Sequence, residues 1–293
     1  MSDITGIKKY DVAGHVFAVE DAEGRALTLA SYRPFETTEG LPLFTLSVAG
    51  EYSDALAAGF EEDTRQDDGD QIIISGKLSD GRKAFVYEWT KGKALLASNA
   101  DYSQATLYAN DEQLRHAVDN SLMLLYALAT APSATLLFHS STVVSHGKAY
   151  MFLGVSGTGK STHSRLWLKN IEGTWLLNDD NPVVRLDDGG KACVYGSPWS
   201  GKTPCYINDH YPLGGVVQLR QAPHNSIRRQ TVMEAYASIV GSVSGKRWEK
   251  NIADGQHATT DAMIRSVGMW HLDCLPDAAA ALLCHDNITK ELR

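Results

Sequence analysis

The sequence predicts an α/β protein, with an α/β domain over residues 111–293 behind a β-rich domain over residues 1–110. Three observations carry this expectation. The first hundred residues hold short runs of branched and aromatic side chains separated by turn formers, the pattern of successive strands. At Asp111 the period becomes helical, with Leu114, Val118, Leu122 and Leu125 on one face. Further on, an apolar strand runs into a glycine-rich loop and then a helix, the order found in folds that seat ligands at strand ends. A length of 293 residues suits one large or two modest domains.

In chain order, strands are expected at Val16–Val19, Leu27–Tyr32, Leu43–Val48, Gln71–Ser75, Lys83–Trp89 and Ala94–Ser98. Ser79-Asp80-Gly81 is a hairpin signal between the fourth and fifth of these. The acidic stretch Glu61–Asp70 reads as a solvated loop. Ser121–Phe138 is free of charge, but Pro132 interrupts it and Ser121, Thr130, Ser133 and Thr135 dilute it. It therefore reads as the end of a buried helix, Asp111–Thr130, followed by a strand, and not as a membrane span. Strands follow at Thr135–Phe138, Thr142–Ser145 and Ala149–Leu153, then a helix over Lys160–Asn170 and a strand over Trp175–Asn178. Asp187-Asp188-Gly189-Gly190 reads as the turn of a hairpin, Val216–Leu219 as a further strand, and the last third as helical.

Composition narrows the class. At 43% hydrophobic and 21% charged the chain reads as a soluble globular protein, and a net charge of −8 argues against a sequence-independent nucleic-acid binder. Cys193, Cys205, Cys274 and Cys284 are widely spaced, with no CxxC pair to suggest zinc or a disulfide framework. The first residues carry no basic region followed by an apolar core, so a reducing, cytoplasmic setting is expected. A homo-oligomer is compatible with this reading.

The chemistry concentrates in two segments. Gly154-Val155-Ser156-Gly157-Thr158-Gly159-Lys160-Ser161 matches GxxxxGK[ST], the P-loop pattern. Its glycines let backbone N–H groups turn toward phosphate oxygens, and the following helix adds its positive end. In this pattern Lys160 reaches the terminal phosphates of a nucleotide, the Ser161 hydroxyl ligates magnesium, and Thr162 completes the cradle. Asp179 and Asp180 then end the strand Trp175–Asn178. Adjacent carboxylates repel unless a cation or proton lies between them, and beside a phosphate loop the natural cation is Mg²⁺. Ser197–Lys202 reads either as a loop closing over phosphates, with Lys202 as a second cation, or as an ordinary Gly/Pro loop. Arg228-Arg229 is a candidate for stabilising transferred charge.

These residues resemble those of the HPr kinase/phosphorylase and ATP-dependent phosphoenolpyruvate carboxykinase superfamily. Gly157-Thr158-Gly159-Lys160-Ser161 followed by Asp179-Asp180 reproduces its loop and aspartate pair, and His139 precedes the loop at the spacing of the family's histidine. The resemblance covers about Asp111–Arg229. It implies a P-loop kinase domain of that type, ATP and Mg²⁺ as cofactors, Asp179 as the base at the accepting serine, Asp180 as a metal ligand with Ser161, and His139 and Lys160 in the catalytic set. The chain departs from the family where it has Asp209-His210-Tyr211-Pro212-Leu213-Gly214 in place of Glu-x-Arg-Gly-Leu-Gly. The expected activity is transfer of the γ-phosphoryl group to a serine-type hydroxyl of a protein, peptide or small molecule. A small carboxykinase-like enzyme acting on a keto acid and a non-catalytic nucleotide sensor stay open as alternatives.

Overall fold

Residues 6–25, 29–67, 69, 71–246 and 249–289 are described by the computed structural model. They form a mixed α/β protein with two large mixed sheets and, among the described residues, five α-helices. Contacts divide the chain into two units, Met1–Ala129 and Thr130–Arg293.

The first unit is one sheet with a helix on it. Its strands are β1 (Ile7–Val12), β2 (His15–Glu20), β3 (Glu36–Thr37), β4 (Phe44–Val48), β5 (Glu61–Asp67), β6 (Gln71–Lys77), β7 (Lys83–Trp89), β8 (Gly92–Ser98) and β9 (Gln104–Ala109). Their order is β3-β1-β2-β4-β9-β8-β7-β6-β5, with β2–β4 and β4–β9 parallel and the other pairs antiparallel. The Ser79–Gly81 turn joins β6 to β7 as the sequence predicts, closed by Leu78 N–H to Arg82 O at 2.9 Å. Helix α1 (Asp111–Thr130) buries Leu114, Val118, Leu122 and Leu125. It docks on this sheet: the Tyr126 hydroxyl donates to Val12 O at 3.0 Å and its ring lies edge-on to Phe17. The boundary expected before Asp111 thus differs from the division by contacts, which keeps nearly all of α1 with the first unit.

Two other expectations change here. In the strand expected at Leu27–Tyr32, Leu27 and Thr28 lie outside the described residues. Ala30–Phe35 is a 3-10 turn containing Pro34, which has no N–H for a ladder. Glu61–Asp67, expected to be a loop, is the edge strand β5, and Asp68 and Asp70 lie outside the described residues. Its side chains are all exposed, so no apolar alternation marks it; backbone pairing with β6 alone makes it a strand.

The second unit carries strands β10 (Thr135–Leu137), β11 (Ser140–Ser145), β12 (Lys148–Leu153), β13 (Trp175–Asp180), β14 (Val183–Leu186), β15 (Ala192–Tyr195), β16 (His210–Gln221), β17 (Ser226–Arg229) and β18 (Gly268–Cys274). Its helices are α2 (Lys160–Asn170), α3 (Val232–Ser242), α4 (Lys250–Ser266) and α5 (Ala278–Ile288). The site depends on the order β13-β11-β12-β16-β18-β17. β12, β16 and β18 run parallel, and β13 points the same way because both it and β12 are antiparallel to β11. The C-terminal ends of β12, β13, β16 and β18 therefore share one edge of the sheet. The first residues of β16 continue instead into the antiparallel strands β15, β14 and β10.

Both faces of this sheet are covered. Tyr150, Phe152, Val217 and Leu272 pack with Trp167 of α2 and Cys284 of α5 on one side. Met151, Leu153, Val216 and Met269 pack with Ile239 of α3 and Met263 of α4 on the other. The C-terminal third is thus not helical throughout, since β18 lies between β16 and β17. Among the described residues no helix is long and apolar enough to cross a membrane.

Candidate functional site

β12 is buried to its end at Leu153, and the chain leaves it through Gly154–Gly159 into α2. Gly157 and Gly159 have φ of 79° and 103°, values that a side chain would strain, and so let the loop curl back. The Thr158 hydroxyl donates to Val155 O at 2.7 Å. The Gln221 carboxamide, at the end of β16, donates to Gly157 O at 3.1 Å and Thr158 O at 3.4 Å. The loop is therefore tied both to itself and to the neighbouring strand. Gly159 caps α2 with no side-chain bond, which leaves the first-turn N–H groups to water or an anion. Val155, Ser156, Gly157 and Thr162 are exposed, and Ser161 is half-buried in that first turn.

Lys160 is buried, with Nζ donating to Gly154 O at 2.9 Å. Burial lowers its pKa, and the carboxylates of Asp180 and Asp179 pull it back up. The lysine and the aspartate pair thus share one electrostatic site.

How the aspartates come there is a matter of register. On β11 and β13, Ser140 lies opposite Asp180, Ser141 opposite Asp179 and Thr142 opposite Asn178, but Val143 lies opposite Leu176. Leu177 is the extra residue of a bulge, and past it the alternation of side chains shifts by one. Leu176 and Asp179 consequently share the α2 side, where Asp179 is buried and accepts from the Ser141 hydroxyl at 2.7 Å. Asp180 meets His139 instead, with Nε2 to Oδ1 at 3.5 Å, and accepts from the Asn181 amide at 2.9 Å. Burial raises the Asp180 pKa, with His139 and Lys160 lowering it and Asp179 raising it further.

Asn178 holds this strand end in place. Its carbonyl accepts from the Asp180 and Asn181 N–H groups at 3.0 and 2.8 Å, and its amide donates to Ser197 Oγ and Trp199 O. The Ser197–Lys202 segment lies beside the pair, with Gly201 N–H on Asp179 O at 3.3 Å and Ser200 bridged to Asp180. Arg228 and Arg229 lie elsewhere, on β17, separated from β12 by β18 and β16. Glu234 binds Arg228 through two hydrogen bonds, and Arg229 stacks over Trp270 at 4.7 Å. Asp209 accepts from the Tyr211 hydroxyl and the His210 N–H.

On the other flank of the loop lies a cavity of about 540 Å³. It runs from Gly157–Gly159 past Thr162 and Leu166 to Ala222 and the segment Cys274–Pro276 that follows β18. Loop and helix thus separate a roomy, largely uncharged cavity from an acidic pair.

Among the described residues no group of three or more His, Cys, Asp or Glu side chains is placed to hold a metal ion. One carboxylate and one hydroxyl nevertheless suit magnesium, which keeps several waters and takes its remaining ligands from substrate phosphates. Asp180, whose charged form is disfavoured by burial and by a neighbouring carboxylate, is a group that a cation would relieve.

Ser141, Ser164, Asn178 and Gln221 also belong to the site, although none of them is a site candidate from sequence alone. For Ser164 a signal existed, because it follows Lys160 by one helical turn and shares its face. For Gln221 none did, because its partners come from the loop after β12. No protein-family model matches this chain, and no curated protein matches it.

Proposed function

We propose that this protein is an ATP- and Mg²⁺-dependent kinase, built on a P-loop kinase domain of the HPr kinase/phosphoenolpyruvate carboxykinase type, that transfers the γ-phosphoryl group to a serine-type hydroxyl. The observation that carries the reading is the convergence of Lys160, Asp179, Asp180 and His139 on one edge of the sheet, with a cavity on the opposite flank of the loop. The cavity has the volume and the mainly apolar and backbone lining that suit a nucleoside. The loop then receives the phosphates, and the aspartate side receives the acceptor.

In this reading Lys160 exchanges its backbone partners for the terminal phosphates, and Ser161 and Asp180 hold magnesium. When bound, the metal supplies charge neutralisation at the phosphate oxygens. Asp179 takes the proton of the incoming hydroxyl. The acceptor oxygen bonds to the γ-phosphorus, the bond from that phosphorus to the bridging oxygen breaks, and ADP leaves with the electron pair. Positioning and charge do most of the catalytic work in such transfers. A buried carboxylate held by a hydroxyl supports catalysis over nucleotide sensing, because a sensor has no use for a base.

Calorimetric titration with Mg·ATP tests the loop. Lys160→Ala should weaken binding roughly 10- to 100-fold, the worth of a charge-assisted hydrogen bond. Asp179→Asn should leave ATP affinity nearly unchanged and cut turnover by ~10²–10⁴, the share of a general base. Turnover is followed with γ-labelled ATP against lysate proteins and small hydroxyl compounds. A folded Lys160→Ala protein with wild-type affinity, or an Asp179→Asn protein with wild-type turnover, sinks the proposal.

A further inference from the structure

Two serines complete a chain of hydrogen bonds that ends on Asp179. Ser141 Oγ lies 2.7 Å from Asp179 Oδ1 and 2.6 Å from Ser164 Oγ. Ser141, Ser164 and Asp179 are all buried, at 1%, 1% and 6% exposure. Chemistry settles the direction of this chain. A carboxylate offers no proton, so Ser141 gives its only hydrogen to Asp179. The Ser141–Ser164 contact must then be donated by Ser164.

The run Ser164→Ser141→Asp179 spans three elements: α2, β11 and β13. It engages Oδ1 and leaves Oδ2 as the oxygen for an incoming hydroxyl. It also begins one turn after Lys160, on the helix whose first turn follows the phosphate loop. The bulge at Leu177 is what brings Asp179 opposite Ser141 on the α2 side. We infer that Ser141 and Ser164 are positioning residues, which orient the Asp179 carboxylate for proton acceptance and tie it to the helix that carries Lys160.

The inference rests on the kinase reading, and the experiment separates the two. ATP affinity, KM and kcat are measured on the full-length protein for wild type, Ser141→Ala, Ser164→Ala and Ser141→Thr. Ser141→Ala should lower kcat roughly 10- to 100-fold, as expected for a hydrogen bond to a charged group, and Ser164→Ala by a smaller factor. KM and affinity for ATP should stay within about twofold, and Ser141→Thr, which keeps the hydroxyl, should restore most of kcat. In an Asp179→Asn background the Ser141→Ala change should have almost no further effect, since Ser141 acts through that carboxylate. Unchanged kcat in both alanine variants, or an equal loss with and without Asp179, overturns the inference while leaving the kinase reading intact. If the wild type transfers and hydrolyses nothing, the kinase reading fails. Crystal structures of wild type and Ser141→Ala then decide the hydrogen-bond chain: a rotated Asp179 carboxylate supports it, and an unmoved one overturns it.

Discussion

His163 lies on the first turn of α2, buried among aromatic rings. Phe152 meets its ring edge-on at 4.7 Å, and the Trp167 indole donates to its Nε2 at 3.1 Å. Burial pushes its pKa down from 6.5 to about 4. Between these values the unfolded chain binds a proton that the folded chain refuses. Stability therefore rises with pH across this window: the contribution is complete above 6.5 and is lost as pH falls toward 4. Each tenfold change in proton affinity is worth about 1.4 kcal/mol, which sets a ceiling of about 3 kcal/mol. Urea midpoints at pH 4.5 and 7 should differ clearly in wild type and much less in His163→Gln, which keeps an acceptor for Trp167. An equal difference in both proteins would assign the effect to other groups.

Among the elements, α4 shows how packing overrides propensity. Gly255 stands inside it, and alanine there would gain about 1 kcal/mol of helix propensity. A Cβ at this position would, however, lie 2.2 Å from Ala131 O and 2.7 Å from Ala131 C. Both atoms belong to the backbone of the turn before β10, so neither can swing aside. Relieving such overlap typically costs ~1–3 kcal/mol, which outweighs the propensity gain. Gly255→Ala should thus lower the urea midpoint, whereas a raised midpoint would show that α4 can shift away from the turn. The sequence reveals a helix here, but not the contact that calls for glycine.

At the scale of the whole chain, nearly all of α1 belongs to the first unit. Leu114, Val118, Leu122, Leu125 and Tyr126 are buried, and Tyr126 is bonded to β1 and packed on β2. A fragment ending at residue 110 strips this helix from the sheet and exposes apolar surface on it. A fragment ending at residue 130 retains it. Residues 1–130 should unfold cooperatively in urea and give a dispersed amide spectrum, while residues 1–110 should aggregate. Equal behaviour of the two fragments would mean that α1 contributes little to the first unit.

The features legible in the amino-acid order are local ones. Asp111–Thr130 and Lys160–Asn170 are legible as helices because apolar spacing and flanking Pro132 and Gly159 act within a few turns of chain. The same holds for the β6–β7 and β14–β15 hairpins, whose turn residues select the geometry directly. The glycine-rich turn from β12 into α2 is likewise legible, since its residues are contiguous. The remaining features arise only from pairing and packing between distant segments. β18 pairs with β16 over a separation of about fifty residues, and His271 and Asp273 break its apolar run, so no local pattern announces it. Which aspartate faces α2 depends on a bulge that exists only once β13 pairs with β11, because strand alternation alone would put Leu176 and Asp179 on opposite faces. Ser141, Ser164 and Asp179 come from three elements, and their hydrogen bonds form only where packing brings those elements together.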